Sequence, residues 1–107
     1  MFKLAQKNTV TWPVTVNIPK DGGDTVKSTF KIKFEVLSQD ELDDLVKTGE
    51  MLERVVIGWE GVADEDGKEI EFSEEAKKKL LGITYVRNAI FLALGEVNSG
   101  RAAARKN

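Results

Sequence analysis

Apolar and polar residues alternate in two stretches near the N-terminus, which is the period of a strand with one buried face. In Thr9–Ile18 every second residue from Val10 onward is apolar, and Thr25–Val36 alternates again with lysines on its polar side. Between them, Pro19–Asp24 supplies turn residues, including two glycines that tolerate positive φ. Because Pro13 cannot donate a ladder hydrogen bond, we expect the first strand to lie at a sheet edge or to carry a bulge there. The pattern predicts a β-hairpin.

The middle of the chain changes to a helical period. Apolar residues recur at spacings of three and four from Leu42 to Val56, which is typical of an amphipathic helix. Ser38 and Glu41 match a capping box at its start. The pattern predicts one helix of about five turns that ends near Gly58, has an acidic outer face and covers the hairpin, which would be marginal alone.

Two further helices are predicted after Phe72. In Glu74–Leu81, acids precede lysines, as the helix dipole favours, and Gly82 ends the segment. Ile83–Val97 is the most apolar segment, with apolar residues over about two-thirds of its circumference. It is either the central core helix or a helix with one side in the core and the other in an oligomer contact.

Length and composition fit one small globular domain. The chain has 107 residues, of which 41% are hydrophobic and 32% charged. We expect an α+β fold in which an N-terminal two-stranded antiparallel β-hairpin packs against about three α-helices. This domain should cover residues 1–98, followed by a mobile basic tail over residues 99–107.

No membrane segment or targeting signal stands out. No apolar run approaches the roughly 20 residues of a membrane-spanning helix, and the first ten residues lack the apolar core of a signal peptide. We therefore expect a cytoplasmic protein with no membrane partner.

Two residue types that are common in catalysis are missing. The sequence has no cysteine, and so offers no thiolate nucleophile or sulfur-ligated zinc site, and no histidine, the commonest general base. We expect no enzymatic activity, no catalytic residue, no cofactor and no metal.

Charge is segregated along the chain. Residues 1–37 carry a net charge of +3, residues 38–75 of -11 and residues 76–107 of +6, for a total of -2. These are either solvated faces that partly neutralise one another, or an acidic face and a basic tail that steer different partners. Lysine clusters raise a nucleic-acid hypothesis, but the fourteen acids in the middle argue against it, so we expect no nucleic-acid partner.

The acidic residues after Ala63 resemble a calcium loop only superficially. With Asp64 as position 1, Asp66 and Glu75 occupy positions 3 and 12, but position 5 is Lys68 and position 6, which requires glycine, is Glu69. The spacing excludes an EF-hand loop.

The glycines of the same stretch do not form a phosphate loop. Five residues separate Gly61 from Gly67, where that loop needs four. Asp66 and Gly67 instead predict a turn, followed by a short extended piece whose Ile70 and Phe72 point inward.

Trp59 has two interpretations. It is either a core residue that seals the join between the long helix and the turn, or a partner anchor in an adaptable, glycine-flanked loop ringed by acids.

The order of these segments resembles the tail assembly chaperones of long-tailed bacteriophages over nearly the whole chain, including FEVLSQDELDDL, YVRNAIFLAL and the terminal ARKN. The most specific block follows the pattern W-x-G-x-x-D-x-D-G and then F-S. The matching residues are Trp59, Gly61, Asp64, Asp66, Gly67, Phe72 and Ser73.

The resemblance implies a binding function in the cytoplasm of an infected or lysogenic bacterium. Such a chaperone binds the tape measure protein, keeps it soluble, helps to recruit tail tube subunits and is absent from the mature virion. A homo-oligomer is compatible with this reading, and the alternative is a minor structural tail or head-tail connector protein. The candidate partner-binding residues are Trp59, Gly61, Asp64, Asp66, Phe72, Tyr85 and Phe91.

Many of these chaperones are made in two lengths through a -1 ribosomal frameshift. Codons for Lys106 and Asn107 can form a slippery heptamer if the codon of Arg105 ends in A. The resemblance therefore predicts a second, longer product.

Overall fold

The computed structural model describes Met1, Phe2, Leu4 and residues 8–103. Within this part of the chain, a three-stranded antiparallel sheet of order β1-β2-β3 packs against four helices, so the α+β fold is confirmed. Arg105 and Lys106 of the predicted basic tail lie outside the described residues. In chain order the elements are β1 (Thr9–Pro19), β2 (Thr25–Glu35), α1 (Gln39–Thr48), α2 (Met51–Val55), β3 (Val56–Glu60), α3 (Glu74–Leu81) and α4 (Thr84–Ser99).

The predicted N-terminal hairpin is confirmed. Strands β1 and β2 pair in one unbroken antiparallel register, from Thr9 opposite Glu35 to Pro19 opposite Thr25. The turn between them contains Gly22 and Gly23, with φ of 87° and 86°. Both glycines are needed there because other residues avoid this region.

Pro13 lies in β1, at an edge of the sheet, as predicted. The hydrogen bonds that flank the ladder run from the Lys20 N–H to the Asp24 carbonyl and from the Val36 N–H to the Asn8 carbonyl, at 2.8 and 2.7 Å. In an antiparallel ladder every second residue of a strand is hydrogen-bonded to its partner strand. Since Asn8 and Lys20 are bonded in this way, the bonded residues of β1 are the even-numbered ones. The nitrogen of Pro13 therefore faces away from β2, and no ladder bond is lost.

The single long helix predicted after Ser38 is wrong. Helix α1 ends at Thr48 because Gly49 adopts the left-handed conformation, with φ of 74°, and its N–H bonds the Leu45 carbonyl. After the short α2, the β-branched run that starts at Val55 favours an extended chain and pairs with β2 as β3. Apolar residues still recur at spacings of three and four after Gly49 because residues of both α2 and β3 enter the core.

Helix α1 depends on local interactions. The capping box is confirmed: the Glu41 N–H donates to the Ser38 Oγ and the Ser38 N–H donates to the Glu41 carboxylate, each at 3.3 Å. No residue of α1 is buried.

The core lies between the sheet and α4, which packs across β1. Helix α2 and the start of β3 contribute Leu52, Val55 and Val56 to it. The largest fully buried side chains are Phe34, Ile32, Ile90, Val14, Val55 and Val56.

Helix α3 has the bounds predicted for it. The Ser73 Oγ caps its start by accepting from the Ala76 N–H at 3.0 Å, and Gly82 follows its last residue.

Helix α4 begins one residue later than predicted and extends two residues further. One of its sides is buried, whereas Phe91 and Leu92 on the other side are 57% and 70% exposed. The interpretation of this segment as a central core helix, buried on all sides, therefore does not apply to the single chain. The buried stripe consists of Val86, Ile90, Ala93 and Leu94.

Across the described positions, no individual helix has the length and apolarity to cross a membrane, and α3 and α4 meet those criteria only as a pair bent by 101°.

Candidate partner-binding site

Trp59 lies on β3, opposite Ile32, and not in an adaptable loop as the anchor interpretation supposed. Its Nε1–H donates to the Ile70 carbonyl at 2.8 Å, and its ring meets the Phe72 ring edge-on, with centroids 4.9 Å apart. The loop position is wrong because Gly58 is paired with β2 and does not interrupt the strand. The half-buried Trp59 thus ties the segment after β3 to the sheet.

The turn predicted at Asp66 and Gly67 is confirmed. The Asp64 carboxylate accepts from the N–H groups of Asp66 and Lys68, at 2.9 and 3.0 Å, and Gly67 has a φ of 78°. Such a self-bonded aspartate shapes a turn. Among the described residues, no group of three or more acidic side chains is arranged to hold a metal ion.

Lys77 was missed by the sequence analysis. It is only 7% exposed, and its Nζ donates to the backbone carbonyls of Glu53 and Val56, at 2.7 and 3.2 Å. The same ammonium lies 5.7 Å from the Phe72 ring centroid and 3.2 Å from the Glu74 carboxylate. Lys77 therefore joins α3 to the end of α2 and to the aromatic pair.

A sequence signal for Lys77 did exist. It lies four residues before Leu81, on the apolar side of α3, where a free lysine would be costly. The run of three lysines hid this difference, because Lys78 and Lys79 are exposed.

An open apolar groove of about 300 Å³ lies between the Trp59 segment and α3. We call it the Trp59 groove. Its charged lining residues are Glu75 and Lys79, which form an ion pair at 3.9 Å. The adjoining segment Glu60–Glu75 is acidic, with eight acidic residues and one lysine. Its apolar lining consists of Trp59, Val62, Ala63, Ile70, Ala76, Leu80 and Ile83.

The seven candidate residues do not form one site. Trp59 and Phe72 are in contact, and Gly61, Asp64 and Asp66 belong to the loop beside them. The two candidates on α4 lie elsewhere: Tyr85 lines a groove of about 450 Å³ next to β1, and Phe91 lines one of about 420 Å³ next to α1.

Two ion pairs brace the elements around the core. The Arg87 guanidinium donates to the Glu53 carboxylate at 2.7 Å and lowers the pKa of Glu53. In the same way, hydrogen bonding from Arg54 lowers the pKa of Glu35. These pairs connect α4 to α2 and α2 to β2, and their carboxylates stay ionised near neutral pH, so they serve as structural links.

Comparison with known proteins identifies the family of the chain. No curated protein and no solved structure matches the chain. A model of the YdaY prophage protein family matches residues 20–106, which include β2, β3, all four helices and the Trp59 groove. The phage origin implied by the resemblance is thereby confirmed. The chain belongs to the YdaY prophage protein family.

Proposed function

We propose that this prophage protein is a non-enzymatic tail assembly chaperone. In this proposal it holds an amphipathic helix of a tape measure protein in the Trp59 groove, keeps that protein soluble and helps to recruit tail tube subunits. The observation that carries the proposal is an open apolar groove beside a strongly acidic segment.

The apolar lining of the groove suits one face of a helix. An amphipathic helix presents apolar side chains at spacings of three and four residues, and such a row fits a shallow apolar channel. The floor is held in place, because Trp59 is bonded to Ile70 and packed on Phe72. A floor that is already ordered lowers the entropy cost of binding.

The charge of the segment beside the groove favours a basic partner. Glu60–Glu75, with eight acidic residues and one lysine, attracts a helix with basic residues beside its apolar row and repels an acidic one. Because these charges are exposed, added salt should slow association.

Ile83 allows a test that does not damage the fold. It lines the Trp59 groove and is the N-cap residue of α4, where it makes no side-chain hydrogen bond to the helix. Ile83→Ser removes apolar surface from the groove and supplies a better cap, so the variant should fold at least as well. Val26→Ser is the matched control, because Val26 is an exposed apolar residue of β2 that does not line the groove.

The experiment titrates the full chain with helical peptides from the tape measure protein of the same prophage and follows binding by calorimetry. Ile83→Ser should weaken binding by about fivefold, as expected for roughly 1 kcal/mol of lost apolar contact, and Val26→Ser should not change it. Absence of binding by the unmodified chain, or weakening by Val26→Ser alone, would reject the Trp59 groove as the site.

Mass spectrometry of purified phage particles separates the chaperone from a structural tail or connector subunit. The proposal expects no copy of the chain in the particles, and its presence at stoichiometric levels would make it a structural subunit. The frameshifted product stays a prediction, to be checked by intact-mass analysis after expression with the native downstream DNA.

A further inference from the structure

Helix α4, which is described along its whole length, has an exposed side without charge. Every exposed residue of this helix is uncharged, although 32% of the chain is charged. Its two charged residues, Arg87 and Glu96, are half-buried and bonded to Glu53 and Trp12. Phe91 and Leu92 stand in the middle of the exposed side. We call this side the α4 face.

Gly95 lies on the α4 face, inside the helix. Glycine destabilises a helix relative to alanine, and its φ here is not positive. A Cβ atom at Gly95 would meet nothing within 4 Å, so packing within the chain does not require glycine. What remains to favour glycine is the close approach of another backbone from outside.

We propose that the α4 face binds the α4 face of a second copy, antiparallel about a two-fold axis between Phe91 and Leu92. This axis places Phe91 against the partner's Leu92, so that the exposed apolar side chains cover each other. It also places Asn88 against the partner's Gly95, where the missing side chain leaves room. The uncharged ends of the helix, at Thr84 and Ser99, then meet each other.

The charge distribution favours a second copy over a different protein. Two copies, each with a net charge of -11 over residues 38–75, would repel through their acidic surfaces, but the α4 face brings no charge against its copy. A helix attracted by the acidic segment Glu60–Glu75 would gain no charge interaction from this face. The inference is independent of the Trp59 groove.

The length of α4 sets the strength of the pairing. Sixteen residues make a helix about 24 Å long, which is short for the interface of a stable dimer. The dimer should therefore dissociate on dilution, and the chain should be monomeric at low concentration.

Sedimentation equilibrium of the full chain over a wide concentration range tests the pairing. The unmodified chain should change from monomer to dimer. Leu92→Glu, which places two like charges near the axis, should raise the dissociation constant by about tenfold or more, while the helical circular dichroism stays unchanged. Val26→Glu is the matched control, because Val26 on β2 is 47% exposed and lines neither of the grooves beside α4; it should associate normally.

Gly95→Ala tests the close approach. It should raise the melting temperature of the dilute monomer and weaken the dimer several-fold, since the added methyl group meets Asn88 of the partner subunit. The pairing would be overturned if the unmodified chain stayed monomeric throughout or if the Leu92→Glu variant associated normally. It would also be overturned if Gly95→Ala left the dissociation constant of the dimer unchanged.

The orientation is tested by cross-linking, because the chain has no cysteine of its own. Copies with Thr84→Cys mixed with copies with Ser99→Cys, two exposed positions that the axis places together, should give mainly mixed dimers with a short thiol-reactive cross-linker. Mainly unmixed dimers would mean parallel helices and overturn the proposed axis.

Discussion

Helices α1 and α4 face each other across a groove, but they are stabilised in different ways. Helix α4 buries four residues against the sheet, whereas α1 buries none. What defines α1 is local: the capping box at Ser38 and the left-handed Gly49 at its end. A helix of ten residues is marginal without tertiary packing. The comparison indicates that α1 should open in local fluctuations that leave α4 and the sheet intact.

The largest effect is expected from α4. Ile90→Ala removes a fully buried side chain from the middle of its core stripe and should lower the free energy of unfolding by about 3–4 kcal/mol. Val46→Ala, an exposed apolar truncation on α1, should change it by less than about 0.5 kcal/mol. Urea denaturation measures both. Equal losses would show that the two helices contribute alike and remove the contrast.

The second effect concerns the buried ammonium that joins α3 to α2. Lys77→Met leaves two backbone carbonyls without their donor and should cost about 2 kcal/mol. Lys78→Met is the matched control, since Lys78 is exposed on the same helix, and its stability should not change measurably. If both variants melt alike, Lys77 is not a structural link.

The third effect should be confined to α1. Ser38→Ala removes the capping box and costs about 1 kcal/mol of helix stability. Because α1 opens locally, hydrogen exchange of its amides should become faster, while exchange in α4 stays the same. Parallel acceleration in both helices would mean that α1 unfolds only with the whole domain.

The smallest effect is that of the half-exposed pair between Glu53 and Arg87. Arg87 lowers the pKa of Glu53 in the folded chain, so the pair stabilises the fold above the ordinary glutamate pKa of about 4.3, and this contribution is lost as the pH falls through the lowered value. Glu53→Gln should lower the melting temperature slightly at pH 7 and reduce its decline in acid. Glu50→Gln, at a residue without an ion pair in the described part of the chain, should retain that decline. Indistinguishable acid profiles of these two variants would remove the pair as a source of pH dependence.

The sequence predicted those parts of the fold that depend on neighbouring residues. Alternation located β1 and β2, two glycines located their turn, and Ser73 and Gly82 bounded α3. Each of these signals acts within a few residues. Strand β3 was missed because only pairing with β2, more than twenty residues away in sequence, distinguishes it from a helical turn.

The candidate site was predicted in part for the same reason. The block that contains Trp59 and Phe72 was identified, and the structure brings the two rings together. The role of Lys77 could not be read locally, because the carbonyls that it binds come from α2 and β3. Likewise, apolar residues occur around most of the circumference of α4, so the sequence did not indicate which side of this helix the sheet would cover.

Pro13 has a consequence for how the folded chain behaves beside its neighbours. Strand β1 is eleven residues long and lies at an edge, and an uninterrupted edge of this length is a template for cross-β stacking. The proline ring occupies the place of an outward N–H in the middle of that edge, so an incoming strand would lose a bond and meet the ring. It divides the edge into two short pieces, each a poor start for a fibril. One residue that contributes nothing to the core thus makes this edge a poor template for polymerisation.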